Sequence, residues 1–185
     1  MSALDLLLQR QSQPLLKAPA PDDAAIDTLL KIALRSPDHA YLRPWRFILV
    51  RDEGLQRLGD LFVKAAVHDD PDTPAEKLEK TRGKPLRAPL IITVVANIVE
   101  HPKVPQWEQL VSAGCAANAI LYGAEALGYG AIWRTGGMAE SRVVAEGMGL
   151  SENEKIVGFI YLGTPATDSN RLKPVLSPVD FISEF

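Results

Sequence analysis

The sequence predicts an α+β fold in which one sheet is covered by helices on both faces. Residues 89–97 form a continuous apolar, β-branched run, which is typical of a central strand buried on both faces. Residues 107–127 have the length of a long helix, and small side chains are dense in its middle. The other predicted strands and helices alternate irregularly, so antiparallel pairing is possible and the class is α+β.

The N-terminal part of the chain predicts two helices before the first strand. Residues 3–11 place three leucines on one stripe of a short helix, and Asp22 or Asp23 is a suitable N-cap for a second, amphipathic helix. That helix ends at Ser36-Pro37, because the residue before a proline is disfavoured in the helical region. The next predicted segments are a strand at 45–50, a helix at 53–67 and a mobile polar excursion at 68–88 around a short helix near 74–82.

The C-terminal part continues the same mixture after the long helix. A short strand is predicted at 131–134, a helix at 139–147 and a last strand at 155–162. From Thr164 onwards no clear period remains, which indicates an extended tail. The 185 residues therefore predict a single domain over 1–185, with 165–185 as its tail.

Composition excludes several classes of protein. Hydrophobic residues make up 46% and charged residues 23% of the chain, so disorder, collagen and coiled coil are excluded as the main state. The net charge of −3 shows no basic surplus, and we expect no nucleic-acid partner. The one cysteine, Cys115, cannot form an intrachain disulfide, which fits a reducing compartment. No apolar run could span a bilayer, so we expect a cytoplasmic protein without a membrane partner.

Most motifs that carry chemistry are missing. The three histidines have no zinc-ligand spacing, no G-x-S-x-G elbow or P-loop occurs, and Gly128-Tyr-Gly130 precedes a predicted strand rather than following one. Polar residues remain at the ends of predicted elements. They are Arg10-Gln11-Ser12, Arg35-Ser36, His39 and Trp133-Arg134-Thr135-Gly136-Gly137. Each has an ordinary structural explanation, such as an arginine at the negative end of a helix.

Four longer segments carry a resemblance to a known family. They are LDLLLQRQS, LLKIALRSPDHAYLRPWRFILV, the run from APLIITVV to IWRTGGM, and KIVGFIYLGTP. Together, over residues 3–165, they resemble the nitroreductase family of flavoproteins. Details such as VPQWEQ, SAGCA and IWRTG are most similar to its short YdjA-like branch.

The resemblance implies a three-layer α/β/α fold with a largely antiparallel sheet, a homodimer, and FMN bound in a groove at the dimer interface. The implied FMN contacts are Arg10, Gln11, Ser12, Arg35, His39, Trp133, Arg134 and Thr135. Gln11 departs from the arginine or serine common in the family, whereas His39 matches the YdjA-like branch. The implied contacts with a nicotinamide nucleotide are Gly123, Ala124, Glu125, Ala126, Leu127 and Gly128. The ordinary structural explanation of Leu127-Gly128 is a helix C-cap.

The resemblance also implies an activity. It is an FMN-dependent NAD(P)H oxidoreductase that passes hydride through flavin N5 to an electron-poor small molecule, such as a nitroaromatic or a quinone. No catalytic side chain is implied, because the flavin carries the redox chemistry. A flavin-binding carrier or regulatory dimer without turnover stays an alternative, and so does a dimeric interaction protein that has lost FMN.

Several details stay open at this point. The physiological acceptor and the choice between NADH and NADPH are undecided. Lys103, Arg134 and Arg142 are candidates to bind a 2′-phosphate. Trp107 either stacks on a substrate or anchors the start of a helix, and the tail residues Arg171 and Lys173 are candidates to reach the FMN phosphate.

Overall fold

An antiparallel sheet forms the centre of the protein. The computed structural model describes residues 2–167 and 176–185, and within them it has five strands and seven α-helices. The strands are β1 (Leu16–Lys17), β2 (Trp45–Arg51), β3 (Leu90–Asn97), β4 (Gly130–Arg134) and β5 (Glu154–Pro165). The helices are α1 (Ala3–Gln9), α2 (Asp23–Ala33), α3 (Glu53–Asp69), α4 (Ala75–Arg82), α5 (Gln106–Ala126), α6 (Gly137–Glu140) and α7 (Arg142–Gly147). None of these helices is long and apolar enough to cross a membrane.

Strand β5 organises the sheet. It pairs with β3 on one side and with β4 on the other, and its last residues pair with β1. Strand β2 pairs with β3 and forms an edge, so the order is β1-β5-β3-β2 with β4 beside β5. Every pair is antiparallel, which confirms the predicted sheet type.

Helices cover both faces of the sheet, as the sequence predicts. On one face, Leu90, Ile92 and Val94 of β3 belong to a core formed with α2 and α5. On the other face, Ile91 and Val95 belong to a core formed with α3 and α7. This alternation explains why β3 is apolar at nearly every position, and it confirms the three-layer α+β fold.

The structure differs from the predicted elements where the segments are short. Strand β1, which has two residues, was not predicted. The helix predicted at 139–147 is two helices, because Ser141 has an extended backbone and its hydroxyl accepts a hydrogen bond from the Val144 N–H as the N-cap of α7. The excursion predicted at 68–88 is largely structured: α3 continues to Asp69, and α4 packs on α3 so closely that a Cβ on Gly59 would lie 2.3 Å from the Arg82 carbonyl oxygen.

Two terminal segments expose apolar side chains. Helix α1 has no buried residue, and Leu4 and Leu8 are 70% and 79% exposed. A 3₁₀ turn at Pro178–Phe181 lies in the predicted tail. In the described part of the tail, exposed apolar side chains are contributed by Leu176, Val179, Phe181, Ile182 and Phe185. Groups of exposed apolar side chains such as these are typical of interaction surfaces.

Candidate functional site

One side of α5 forms the wall of an open groove of about 780 Å³, called the α5 groove below. Its lining residues are Leu7, Ile32, Arg35, Ser36, Pro37, Val111, Gly114, Cys115, Asn118, Ala119, Tyr122 and Trp133. Arg10 lies at its border, with the guanidinium carbon 5.6 Å from the centre of the Tyr122 ring. Three predicted contacts, Arg10, Arg35 and Trp133, are thus gathered along one face of α5.

The end of α2 presents Arg35 to this groove. The Arg35 N–H donates to the Ile32 carbonyl at 3.0 Å, and the Ser36 N–H donates to the Ala33 carbonyl at 3.1 Å, so the last turn is tight. The α-helix itself ends at Ala33, three residues before the predicted end at Ser36, and Pro37 prevents it from continuing beyond this turn. In the described part of the chain, the Ser36 hydroxyl is buried without a hydrogen-bond partner. A ligand in the groove could satisfy this hydroxyl.

The loop that carries His39 has a fixed shape. The Asp38 carboxylate accepts hydrogen bonds from the N–H groups of Leu42 and Arg43, at 3.0 and 3.1 Å, and from the Arg43 guanidinium at 2.7 Å. These bonds hold Ala40, Tyr41 and Arg43 at positive φ, between 52° and 59°. A loop that adopts this strained backbone is over-determined by its contacts.

A second depression, of about 420 Å³, lies at the end of β4 and is called the β4 cleft below. It is lined by Phe62, Lys84, Arg87, Ile132, Trp133, Arg134, Thr135, Gly136, Gly137, Met138, Phe159 and Tyr161. Three of these residues are cationic and none is acidic. The predicted contacts Arg134 and Thr135 lie here rather than in the α5 groove.

Arg134 is one of the three cations of the β4 cleft and packs against Tyr161. Its guanidinium carbon lies 5.4 Å from the centre of the Tyr161 ring, and within the described residues its buried Nε has no hydrogen-bond partner. Burial raises the pKa of Tyr161, against the opposing effect of the positive charges of Arg134 and Arg87. The phenol is therefore a neutral hydrogen-bonding group in a positively charged site. A buried donor without a partner is costly unless a ligand satisfies it.

Trp133 separates the two depressions and lines both of them. Its indole Nε1–H donates to the Val157 carbonyl at 3.3 Å. The ring occupies the space above Gly158, where an added Cβ would lie 2.0 Å from Nε1. A glycine at position 158 is therefore required for this placement of Trp133.

In one chain, the predicted FMN contacts do not share a cavity. Arg10 and Arg35 are at the α5 groove, Arg134 and Thr135 are in the β4 cleft, and His39 lies beyond the groove at the start of α5. Gln11 and Ser12 follow α1, and the next residue is tied to β4 because the Gln13 N–H donates to the Ala131 carbonyl at 2.9 Å. Ser12 is exposed.

Sequence reasoning missed two residues of the β4 cleft, Lys84 and Arg87. Both lie in the polar excursion predicted at 68–88, to which the sequence assigns no site residue. A sequence pattern that could have indicated them is a pair of cations, three residues apart, directly before the apolar run of β3. Because the start of β3 is fixed in the sheet, residues just before it are held there too.

The segment predicted to contact a nicotinamide nucleotide forms the C-terminal end of α5 and the turn after it. A Cβ on Gly123 would lie 2.9 Å from Leu29 of α2, and Ala124 is fully buried. The helix ends with a 2.8 Å hydrogen bond from the Tyr129 N–H to the Ala124 carbonyl, and Gly128 has a φ of 80°. This is a Schellman C-cap, the alternative explanation of this sequence. The surface left for a nucleotide comes from Glu125, Ala126, Leu127 and Gly128.

The other features to locate are Trp107, two cations of the tail and any group of metal-ligating side chains. Trp107, in the first turn of α5, is 65% exposed and therefore does not anchor the helix in the core of this chain. Arg171 and Lys173 lie outside the described residues. Among residues 2–167 and 176–185, no group of three or more His, Cys, Asp or Glu side chains could hold a metal ion.

The fold and its two depressions define an α+β protein with arginines gathered at one long helix and at a strand end. This architecture belongs to a known family: the model of the Nitroreductase family matches residues 7–164. The chain belongs to that family, which confirms the resemblance predicted from the sequence.

Known relatives agree with this assignment. The Escherichia coli (strain K12) protein named "Putative NAD(P)H nitroreductase YdjA" is 43% identical over 185 residues, which is 100% of both chains. A nitroreductase-like family protein from Bacillus cereus has a TM-score of 0.84 at 22% identity, over 100% of this chain and 96% of that chain. A nitroreductase with bound FMN from Bacteroides fragilis has a TM-score of 0.71 at 19% identity, over 100% and 99%. The two solved structures share the fold.

Proposed function

We propose that this protein is an FMN-dependent NAD(P)H oxidoreductase that reduces an electron-poor acceptor, such as a nitroaromatic or a quinone. The observation that carries the proposal is the β4 cleft, where the described residues contribute three cations, no carboxylate and a buried Arg134 Nε without a hydrogen-bond partner. Such a site attracts an anionic, hydrogen-bond-accepting ligand. The family, and the relative named as an NAD(P)H nitroreductase, support a flavin as that ligand.

The side chains present fit FMN in type. Its phosphate and ring carbonyls accept hydrogen bonds, which Arg10, Arg35, Lys84 and Arg134 can donate. When bound, FMN supplies the redox chemistry, namely hydride transfer from NADH or NADPH to the acceptor. The chain's own residues bind and orient it: the arginines and lysine hold the polar groups, and Trp133 offers an aromatic surface between the two depressions.

We also propose that the working unit is a homodimer. The exposed leucine stripe of α1 and the exposed Trp107, Leu110 and Val111 of α5 form apolar surface near the α5 groove. Burying one leucine fully contributes roughly 1.5–3 kcal/mol. A second copy of this chain would cover these faces and bring its own residues to a site that is split in one chain. The tail, 165–185, would then lie on the partner subunit.

Flavin binding tests the proposed site. Arg10→Ala, Arg35→Ala and Lys84→Ala should each weaken FMN binding about 10- to 100-fold, which is the usual loss of a charge-assisted hydrogen bond. The measurement is quenching of FMN fluorescence during titration of the flavin with protein. Arg57→Ala is the matched control, since Arg57 on α3 is 75% exposed and pairs only loosely with Glu53 at 3.6 Å. Unchanged affinity in all three variants would show that FMN binds elsewhere.

A further inference from the structure

His39 and Glu108 form a close imidazole–carboxylate pair. The distance from His39 Nδ1 to Glu108 Oε2 is 2.8 Å, although the two residues are 69 positions apart in the chain. His39 is in the loop after α2, and Glu108 is in the first turn of α5. The pair therefore joins this loop to the helix that lines the groove.

Nothing else in the loop competes for the imidazole. The Asp38 carboxylate, the nearest alternative in sequence, is occupied by Leu42 and Arg43. One turn beyond Glu108, the Ser112 hydroxyl donates a hydrogen bond to the Pro37 carbonyl. Two side chains of α5, at positions 108 and 112, thus fix the loop on either side of Asp38.

The pair determines which nitrogen of His39 carries the proton. An ionised carboxylate only accepts hydrogen bonds, so in the neutral imidazole the proton must be on Nδ1 and the lone pair on Nε2. Nε2 is then a hydrogen-bond acceptor on a side chain that is 55% exposed.

We infer that Glu108 is a positioning residue that presents His39 Nε2 as an acceptor to a donor group of the flavin, and not to its phosphate. The donor is a ribityl hydroxyl or the ring imide N–H, because these are the groups of FMN that donate hydrogen bonds. A neutral imidazole acceptor would repel phosphate oxygens. The inference rests on the proposed function and on the contact between His39 and FMN that the family resemblance implies. It specifies which atom of His39 accepts the hydrogen bond and which kind of flavin group donates it.

The tautomer can be measured without flavin turnover. In full-length protein labelled with ¹⁵N-histidine, with FMN added, long-range ¹H–¹⁵N spectra distinguish a protonated from an unprotonated ring nitrogen. The chain has three histidines, so His39→Gln assigns the His39 signals. In the parent protein we expect Nδ1 of His39 to be protonated and Nε2 to be unprotonated. In Glu108→Ala the proton should be distributed between the two nitrogens. In Glu108→Gln it should stay on Nδ1, because the amide oxygen still accepts a hydrogen bond. A proton on Nε2, or no change in Glu108→Ala, would overturn the inference.

The ligand group is identified by binding three flavins. Glu108→Ala should weaken FMN and riboflavin equally, about three- to tenfold, because riboflavin lacks only the phosphate. Glu108→Gln should bind FMN and riboflavin as tightly as the parent protein does. The double variant that carries His39→Gln and Glu108→Ala should lose no more flavin affinity than His39→Gln alone. Lumiflavin, which has no ribityl chain, distinguishes the two donors. If the ring N–H is the donor, Glu108→Ala should also weaken lumiflavin binding. If a ribityl hydroxyl is the donor, Glu108→Ala should bind lumiflavin as tightly as the parent protein does.

A second histidine–carboxylate pair provides the control for these binding experiments. Asp69→Asn removes a carboxylate 3.4 Å from the exposed His68 and should change neither His39 nor flavin binding. An effect of Glu108→Ala on FMN but not on riboflavin would mean that His39 serves the phosphate, and the inference would be wrong. Equal binding by parent and variants overturns this inference alone. A parent protein that binds none of the flavins overturns the proposed function as well.

Discussion

Trp133 and Gly158 show how one small residue shapes both depressions. The indole lies where any side chain at 158 would be, so Gly158→Ala must displace Trp133 from its place between the α5 groove and the β4 cleft. We expect FMN binding to weaken about tenfold, because the displaced indole would lose its packing in this position and its hydrogen bond to Val157. A FMN titration, with near-ultraviolet circular dichroism for the tryptophan, measures both effects.

Gly54→Ala is the matched control for this prediction. A Cβ on Gly54 meets nothing closer than 3.5 Å, and alanine suits its position in α3. If Gly158→Ala binds FMN as tightly as Gly54→Ala and leaves the tryptophan signal unchanged, Trp133 does not depend on Gly158.

Arg46 and Glu154 form the best-defined ion pair outside the site. The Arg46 Nη2 lies 2.9 Å from Glu154 Oε2, and the Glu154 side chain is 8% exposed. The hydrogen bond from Arg46 lowers the pKa of Glu154, burial opposes it, and the Ser151 N–H contributes in the same direction as Arg46. A lowered pKa in the folded state means that the pair stabilises the protein fully above the unfolded pKa of about 4.3, and less as pH falls through the folded pKa.

Glu154→Gln should therefore lower the free energy of unfolding by about 1.5–3 kcal/mol at pH 7, the usual contribution of a hydrogen bond to a charged group. The difference from the parent protein should shrink as pH falls below about 4, where the unfolded carboxyl is protonated. Urea unfolding at several pH values measures it. Glu53→Gln, whose partner Arg57 is 3.6 Å away at the surface, should cost less than about 1 kcal/mol. A cost for Glu154→Gln that does not vary with pH would contradict the argument.

At the scale of elements, helix α1 tests the proposed dimer. A seven-residue helix without a buried side chain has marginal stability alone in water, and in the proposed dimer the partner subunit would cover its leucines. Leu8→Asp should shift the protein from dimer to monomer at micromolar concentration, as measured by light scattering after size exclusion. Val67→Asp, on an apolar residue of α3 that is 39% exposed, should leave the mass unchanged. A Leu8→Asp protein that stays dimeric would place the interface elsewhere.

Elements with a strong pattern could be predicted from the sequence. Strand β3 is apolar throughout, and α2 has an N-cap, an amphipathic stripe and a stopping proline, so their bounds were within two or three residues of the structure. Strand β1 and the break at Ser141 could not be predicted, because two-residue pairing and a single extended residue leave no periodic signal.

The site shows the same limit. Arg134 and Thr135 could be placed together because they are adjacent, whereas their union with Lys84 and Arg87 depends on how β3 and β5 pair. The contact between His39 and Glu108 likewise spans 69 positions and has no local signature. The contacts with a nicotinamide nucleotide that the resemblance implies include Gly123 and Ala124, whose small size also serves helix packing.

At the scale of the whole molecule, the separation of the cations is the central feature. One chain has arginines at the α5 groove and a cationic cleft at β4, with Trp133 between them and apolar surface beside them. A dimer in which each FMN is held by residues of two chains would explain the split site and the uncovered α1 and tail together. Activity should then depend on protein concentration near the dimer dissociation constant.

The most direct test is the visible spectrum of the purified protein, loaded with FMN and freed of excess flavin. We predict a yellow protein with one FMN for each chain, bleached when NADPH or NADH is added without oxygen and recoloured by a quinone or a nitroaromatic. A protein that retains no FMN would contradict the account. One that retains FMN but is not bleached by either nucleotide would be a flavin-binding protein without reductase turnover.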